Sequence, residues 1–107
     1  MTYLVVLCTF GKREEAERIS KLLLQKRLCA CIQIVGPIKS VYLWKGKEEE
    51  SEEWLCLMKT SSELYKEVEA LLIKEHSYEV PEIIALPILM GSPSYIKWLE
   101  EELTKEG

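Results

Sequence analysis

The sequence predicts an α+β protein, a ferredoxin-like split βαβ sandwich with a long central hairpin and a short C-terminal helix. Three observations predict it. Hydrophobic periodicity changes along the chain in the order strand, helix, strand, strand, helix, strand, and a further helix closes it. Two right-handed crossovers in that order put the first and third strands in the centre of the sheet and the second and fourth at its edges. Pro37 and Pro87 both fall in strands that this topology assigns to edges, where a missing N–H is tolerated, while the two central strands contain none.

Tyr3 to Phe10 is a dense apolar run rich in β-formers, short enough to be a strand buried on both faces. From Lys12 to Arg27, Ala16, Ile19, Leu22 and Leu23 share one helical stripe, and Arg13, Glu14, Glu17, Arg18 and Lys21 occupy the rest. Cys29 to Tyr42 alternates like a strand and is interrupted at Gly36-Pro37, which predicts a bent edge strand. The polar segment Lys45 to Glu53 is expected to reverse the chain, with Trp54 to Lys59 as the next strand and Trp44 facing Trp54 across the hairpin. Thr60 and Glu63 have capping-box spacing, and Leu64, Val68, Leu71 and Leu72 continue a helix to about His76. Ile83 to Leu89 reads as the last strand. Ser92-Pro93 supplies an N-cap and a first-turn proline for a terminal helix carrying Ile96, Leu99 and Leu103.

The 107 residues fit one domain, 1–107, with a single core. The composition is 48% hydrophobic and 30% charged, and no apolar run approaches the roughly 20 residues of a membrane span. A net charge of -4 argues against nucleic acid, whose phosphates select clustered Lys and Arg. The N-terminal Met1 to Leu7 lacks the basic leader of a secretory signal and reads as a strand, so the expected compartment is the cytoplasm. There Cys8, Cys29, Cys31 and Cys56 are expected to stay thiols.

Chemical capacity concentrates in His76-Ser77-Tyr78-Glu79-Val80-Pro81-Glu82, a helix-to-strand junction with the single histidine of the chain. Cys29 and Cys31 share one strand face about 6 to 7 Å apart, too wide to chelate unaided. Thiolate with imidazole suits Cu(I) or Zn(II). Buried cysteine packing as a small hydrophobe, and His76 interacting with a helix C-terminus, are the competing readings, and both stay open. Glu48, Glu49, Glu50, Glu52 and Glu53 read as a solvated hairpin tip. Trp44, Trp54 and Trp98 read as packing or interface residues. Lys59, at the end of a central strand, is a candidate anion anchor or a partner for Glu79 or Glu82. No phosphate-binding glycine loop and no nucleophile motif is present, so no enzymatic activity is expected. An open-site zinc hydrolase, in particular, usually needs three protein ligands.

With these residues in place, the chain resembles the CutA divalent-cation-tolerance family. The matching segments are Val6-Leu7-Cys8-Thr9-Phe10, Leu28-Cys29-Ala30-Cys31-Ile32-Gln33, Ser40-Val41-Tyr42-Leu43-Trp44-Lys45-Gly46-Lys47, Met58-Lys59-Thr60, His76 through Ile83, and Tyr95-Ile96-Lys97-Trp98-Leu99. They span nearly the whole chain. Ser77 stands where the family usually has proline, and Leu43 where many relatives carry an aromatic residue. The resemblance implies a ferredoxin-like fold, assembly as a homotrimer through extended strands, and a link to tolerance of copper and other divalent cations. The family's alanine-cysteine pair falls on Ala30-Cys31 and its histidine-containing segment on His76, Ser77, Tyr78 and Glu79. The metal set expected on that basis is Cys31 and His76 with Glu79 or Glu82, holding copper or a related ion at an intersubunit cleft. The alternative is a trimeric sensor, architecturally similar to PII signalling proteins, whose cleft binds a small anion or a partner protein through Lys59, Tyr78 and Glu82.

Overall fold

The computed structural model describes residues 2–103. Its elements are β1 (Tyr3–Phe10), α1 (Arg13–Gln25), β2 (Cys31–Trp44), β3 (Lys47–Ser61), α2 (Tyr65–Glu75), β4 (Ile83–Pro87) and α3 (Pro93–Glu102). The four strands form one antiparallel sheet in the order β2-β3-β1-β4. The expected central pair and edge strands are therefore found where the proline argument put them.

Strand alternation sends Val6, Cys8 and Phe10 of β1, with Cys56 and Met58 of β3, into one fully buried core. Ala16, Ile19 and Leu23 of α1 and Val68 and Leu72 of α2 complete it. The opposite face carries Val5, Leu7, Leu55 and Leu57 only half-buried, so β1 is covered fully on one side alone. α3 closes the Tyr3 end of the sheet: the Tyr3 hydroxyl meets Glu100 at 3.5 Å, and Arg27 donates to the Glu102 carbonyl at 2.9 Å and pairs with its carboxylate at 2.8 Å. Ser92 caps α3 as expected, its hydroxyl accepting from the Tyr95 N–H at 3.4 Å, with Pro93 in the first turn.

Three expectations are corrected. The hairpin turn is only Lys45-Gly46, both at positive φ (52° and 78°), the geometry of a tight two-residue connection. The glutamate run from Glu48 to Glu53 is therefore strand, paired with Leu43 back to Ile38. Cross-strand pairing overrides its low β-propensity. In that register Trp44 faces Lys47 and Trp54 faces Phe10, so the two tryptophans are not opposite each other. Thr60 does not cap α2; its buried hydroxyl donates to the Leu28 carbonyl at 2.6 Å, and Leu64 takes the cap position without a side-chain bond. The interruption at Gly36-Pro37 is a register shift between Val35 and Ile38, the expected bend.

β1 pairs with β3 only over Trp54 to Ser61. The rest of the hairpin, residues 38–53, is a two-stranded ribbon that extends past the sheet in a body of 43 × 26 × 21 Å.

Candidate functional site: an acidic groove beside a buried histidine

His76 follows the last turn of α2 and is 9% exposed. Its ring stacks on Phe10 at 4.5 Å between centroids and 11° between planes. Nε2 lies 2.7 Å from the Thr9 carbonyl, and the Tyr78 backbone N–H donates to Nδ1 at 3.0 Å. Because a backbone N–H can only donate, Nδ1 is the acceptor and Nε2 carries the proton that goes to Thr9. Both ring nitrogens are thus occupied, and the imidazole works as a brace between the end of β1 and the loop after α2. Ser77 pins the same loop to α1, its N–H and hydroxyl donating to the two oxygens of Glu15 at 3.1 and 3.0 Å.

The brace aims Tyr78 across the sheet end. The phenol hydroxyl donates to Glu53 Oε2 at 2.7 Å, and burial, followed by that bond and the Glu53 charge, pushes its pKa well above the ordinary tyrosine value. The hydroxyl stays a donor. Gly11 makes room for it, since a Cβ there would come within 2.8 Å of the Tyr78 oxygen. Tyr78→Phe is expected to destabilise the fold by about 2 kcal/mol, because a buried carboxylate loses its one hydrogen bond from a side chain. Chemical denaturation with unchanged far-UV circular dichroism checks it.

Beside Tyr78 lies a groove of about 640 Å³ between the ribbon and the loop before β4. Tyr42, Trp44, Tyr78, Val41 and Val80 give it apolar walls, and Glu49, Glu53, Glu79 and Glu82 give it charge; among the described residues no Lys or Arg lines it. Of the residues predicted from sequence, Tyr78, Glu79 and Glu82 come together here. Cys31 and Lys59 do not: they face each other across β2 and β3, and Lys59 also faces Val5. Val5 is four residues along β1 from Thr9, where His76 binds, which places them about 13 Å apart along the strand. Within one chain, Cys31 is therefore not brought to His76, nor Lys59 to Tyr78 and Glu82.

Around Cys31, Gln33 donates to the sulfur at 3.1 Å and Lys59 donates to the Gln33 side-chain carbonyl. Tyr95 also faces the sulfur; burial first, then Cys31, raises its pKa. Cys31 is half-exposed, whereas Cys8, Cys29 and Cys56 are buried. Burial pushes the Cys56 thiol up to about 11 and the Cys29 thiol up to about 12, and raises Cys8 further. These three behave as packing groups. Among the described residues no three His, Cys, Asp or Glu side chains converge to hold a metal ion.

The sequence reading missed Glu53, Glu49, Tyr42 and Trp44 as one surface. Glu53 sits in a run of like residues, and only the register separates it from them: Glu52 opposite Lys39 is exposed, while Glu53 opposite Ile38 is buried.

Residues 4–102 match the family described as CutA1 divalent ion tolerance protein. A divalent-cation tolerance protein from Archaeoglobus fulgidus is 46% identical over 96 residues, covering 90% of this chain and 93% of that one. Its counterpart in Thermus thermophilus is 41% identical, covering 91% and 94%, and a solved Thermus thermophilus structure superposes with a TM-score of 0.93 at 39% identity over 95% and 99% of the two chains. The CutA1 structure from Oryza sativa gives a TM-score of 0.94 at 34% identity over 98% and 96%. The chain spans about half the length of relatives from Arabidopsis thaliana and Mus musculus, 53% and 52%. No helix of the described residues is long and apolar enough to cross a membrane. Sequence match and fold agree over almost the whole chain, and the chain belongs to the CutA1 divalent ion tolerance family.

Proposed function

We propose that the protein acts in divalent-cation tolerance as a cytoplasmic homotrimer that binds copper or another divalent cation at clefts between subunits. The observation that carries this reading is the uncovered side of the sheet. Val5, Leu7, Leu55 and Leu57 are half-buried there, and Ile84 and Leu86 are 49% and 51% exposed. A contiguous apolar face of this kind marks an interface. The ribbon of residues 38–53 has no third strand, and a two-stranded ribbon is marginal alone in water. The number three rests on the family resemblance, and the cytoplasm on the free thiols.

Cys31 is the soft donor in this proposal, since it is the half-exposed thiol and lies on the strand pair next to the open face. The placement of the donors between subunits rests on the family resemblance. His76, with both nitrogens occupied, braces the fold and is left out of the donor set. A small-anion sensor is not favoured, because Lys59 is held beside Gln33 and the groove at Tyr78 is lined by carboxylates.

Sedimentation at micromolar concentration is expected to give three times the 12.4 kDa chain mass, and a monomeric mass overturns the assembly. An anaerobic Cu(I) titration against a competing chelator is expected to weaken at least about tenfold in Cys31→Ser, the scale on which loss of one ligand is felt. Unchanged affinity removes Cys31 from the site.

A further inference from the structure

Lys59 is half-buried and pairs with no carboxylate among the described residues. Its register partners are Cys31 on β2 and Val5 on β1, so ammonium and thiol leave the same face of the sheet from Cβ atoms about 4.5 to 5.5 Å apart. The ammonium is tethered there, donating to the side-chain carbonyl of Gln33. Because an ammonium can only donate, it fixes the Gln33 amide with its NH2 toward Cys31, whose sulfur accepts at 3.1 Å. Tyr95 faces the same sulfur from α3, and its hydroxyl stays protonated as burial and then Cys31 raise its pKa.

The three polar groups at Cys31 are thus an amide N–H, a phenol O–H and an ammonium, and none of them supplies negative charge. Around them Val5, Leu7 and Leu57 add only apolar surface. A metal ion at this sulfur meets a fixed positive charge, and the repulsion grows in proportion to the charge of the ion. A divalent ion therefore pays twice what a monovalent ion pays, and pays more where a neighbouring copy covers the face and excludes water. Softness points the same way, since a thiolate donor suits Cu(I).

We propose that Lys59 sets the charge selectivity of the Cys31 site: tethered through Gln33, its ammonium admits the soft monovalent ion Cu(I) to the sulfur and discriminates against soft divalent ions. The inference rests on Cys31 being a metal donor, and it narrows that reading from copper or another divalent cation to Cu(I). Lys59 acts through its field and touches no ion. Its signature is the ratio of two affinities, which a purely structural role leaves unchanged.

The reduced full chain is titrated anaerobically with Cu(I) against a competing chelator, and with Cd2+ followed by its thiolate charge-transfer absorption. Lys59→Met, which keeps the apolar stem, is expected to tighten Cd2+ at least about tenfold and Cu(I) by about the square root of that factor, because the monovalent ion feels half the repulsion. Lys59→Arg, which keeps the charge, is expected to hold the wild-type ratio of the two affinities. Gln33→Ala releases the ammonium to solvent without touching a core residue, and is expected to move the ratio in the same direction by a smaller factor. Added salt is expected to shrink the difference between wild type and Lys59→Met. Cys31→Ser is expected to weaken both ions and abolish the Cd2+ band; wild-type behaviour of that variant overturns the donor reading, and this inference with it. Where Cys31→Ser does weaken both, equal shifts of the two ions in Lys59→Met, or no shift in either, overturn the role of Lys59 alone.

Discussion

His76→Ala is expected to lower the unfolding free energy by about 3 kcal/mol, combining the cavity left by a buried ring with two stranded polar groups. The ring fills space against Phe10, and its loss orphans the Thr9 carbonyl and the Tyr78 N–H, both of which it satisfies. Urea denaturation followed by circular dichroism reads the change. His76→Phe distinguishes the two contributions: it refills the cavity and keeps the stacking but leaves both backbone groups unpaired. It is expected to recover only part of the loss, whereas full recovery removes the hydrogen-bonding role assigned to the ring. The loop from Ser77 to Glu82 should loosen in the alanine variant, seen as faster hydrogen exchange at the Tyr78 amide. An unaltered exchange rate there contradicts the brace.

Gly36→Ala is the second large effect, expected at about 2 to 3 kcal/mol of destabilisation, the scale of overpacking against an aromatic packed on the core. A Cβ built at Gly36 falls inside van der Waals contact with three atoms of the Trp54 indole. Trp54 is partly buried against the core and its backbone is held in register opposite Phe10, so withdrawal of the ring costs that packing. Tryptophan emission reports the outcome: a shifted spectrum with lowered stability is expected. Wild-type stability with an unshifted spectrum shows that the ring has free space to move. The glycine is required by this close approach of strand to indole, at the bulge where β2 changes register.

How much of the molecule could be read from its residues is clear at particular places. β1 was legible to its boundaries because eight consecutive β-formers leave no competing periodicity. α3 was legible because Ser92-Pro93 is a local signal, and a local signal is settled by the next few residues. The hairpin was misread because its glutamates resemble a loop in composition, while the turn itself needs only Lys45-Gly46. Thr60 was misread for a similar reason: capping spacing is local, but the hydroxyl found a carbonyl 32 residues away. At the site, the loop from His76 to Glu82 was read as the concentration of chemistry, and the structure brings its Tyr78, Glu79 and Glu82 together along the groove. Cys31 and His76 were expected to meet at a cleft between subunits; within one chain they sit toward opposite ends of β1, because spacing along the sequence does not specify which end of a strand a residue occupies.

The amino-acid sequence by itself determined the order of elements, the central and edge strands, the single core and the family. Each follows from periodicity, proline chemistry or motif, and each is expressed within a short window or by topology rules that depend on element order alone. Only the tertiary structure decided which titratable groups meet. Strand register buries Glu53 and exposes Glu52, although they are neighbours in a run of like charge, because alternate side chains point to opposite faces. The same packing turned His76 inward, where the Thr9 carbonyl and the Tyr78 amide occupy both nitrogens. A side chain's chemistry is written in its residue type, but its availability depends on what the rest of the fold places against it.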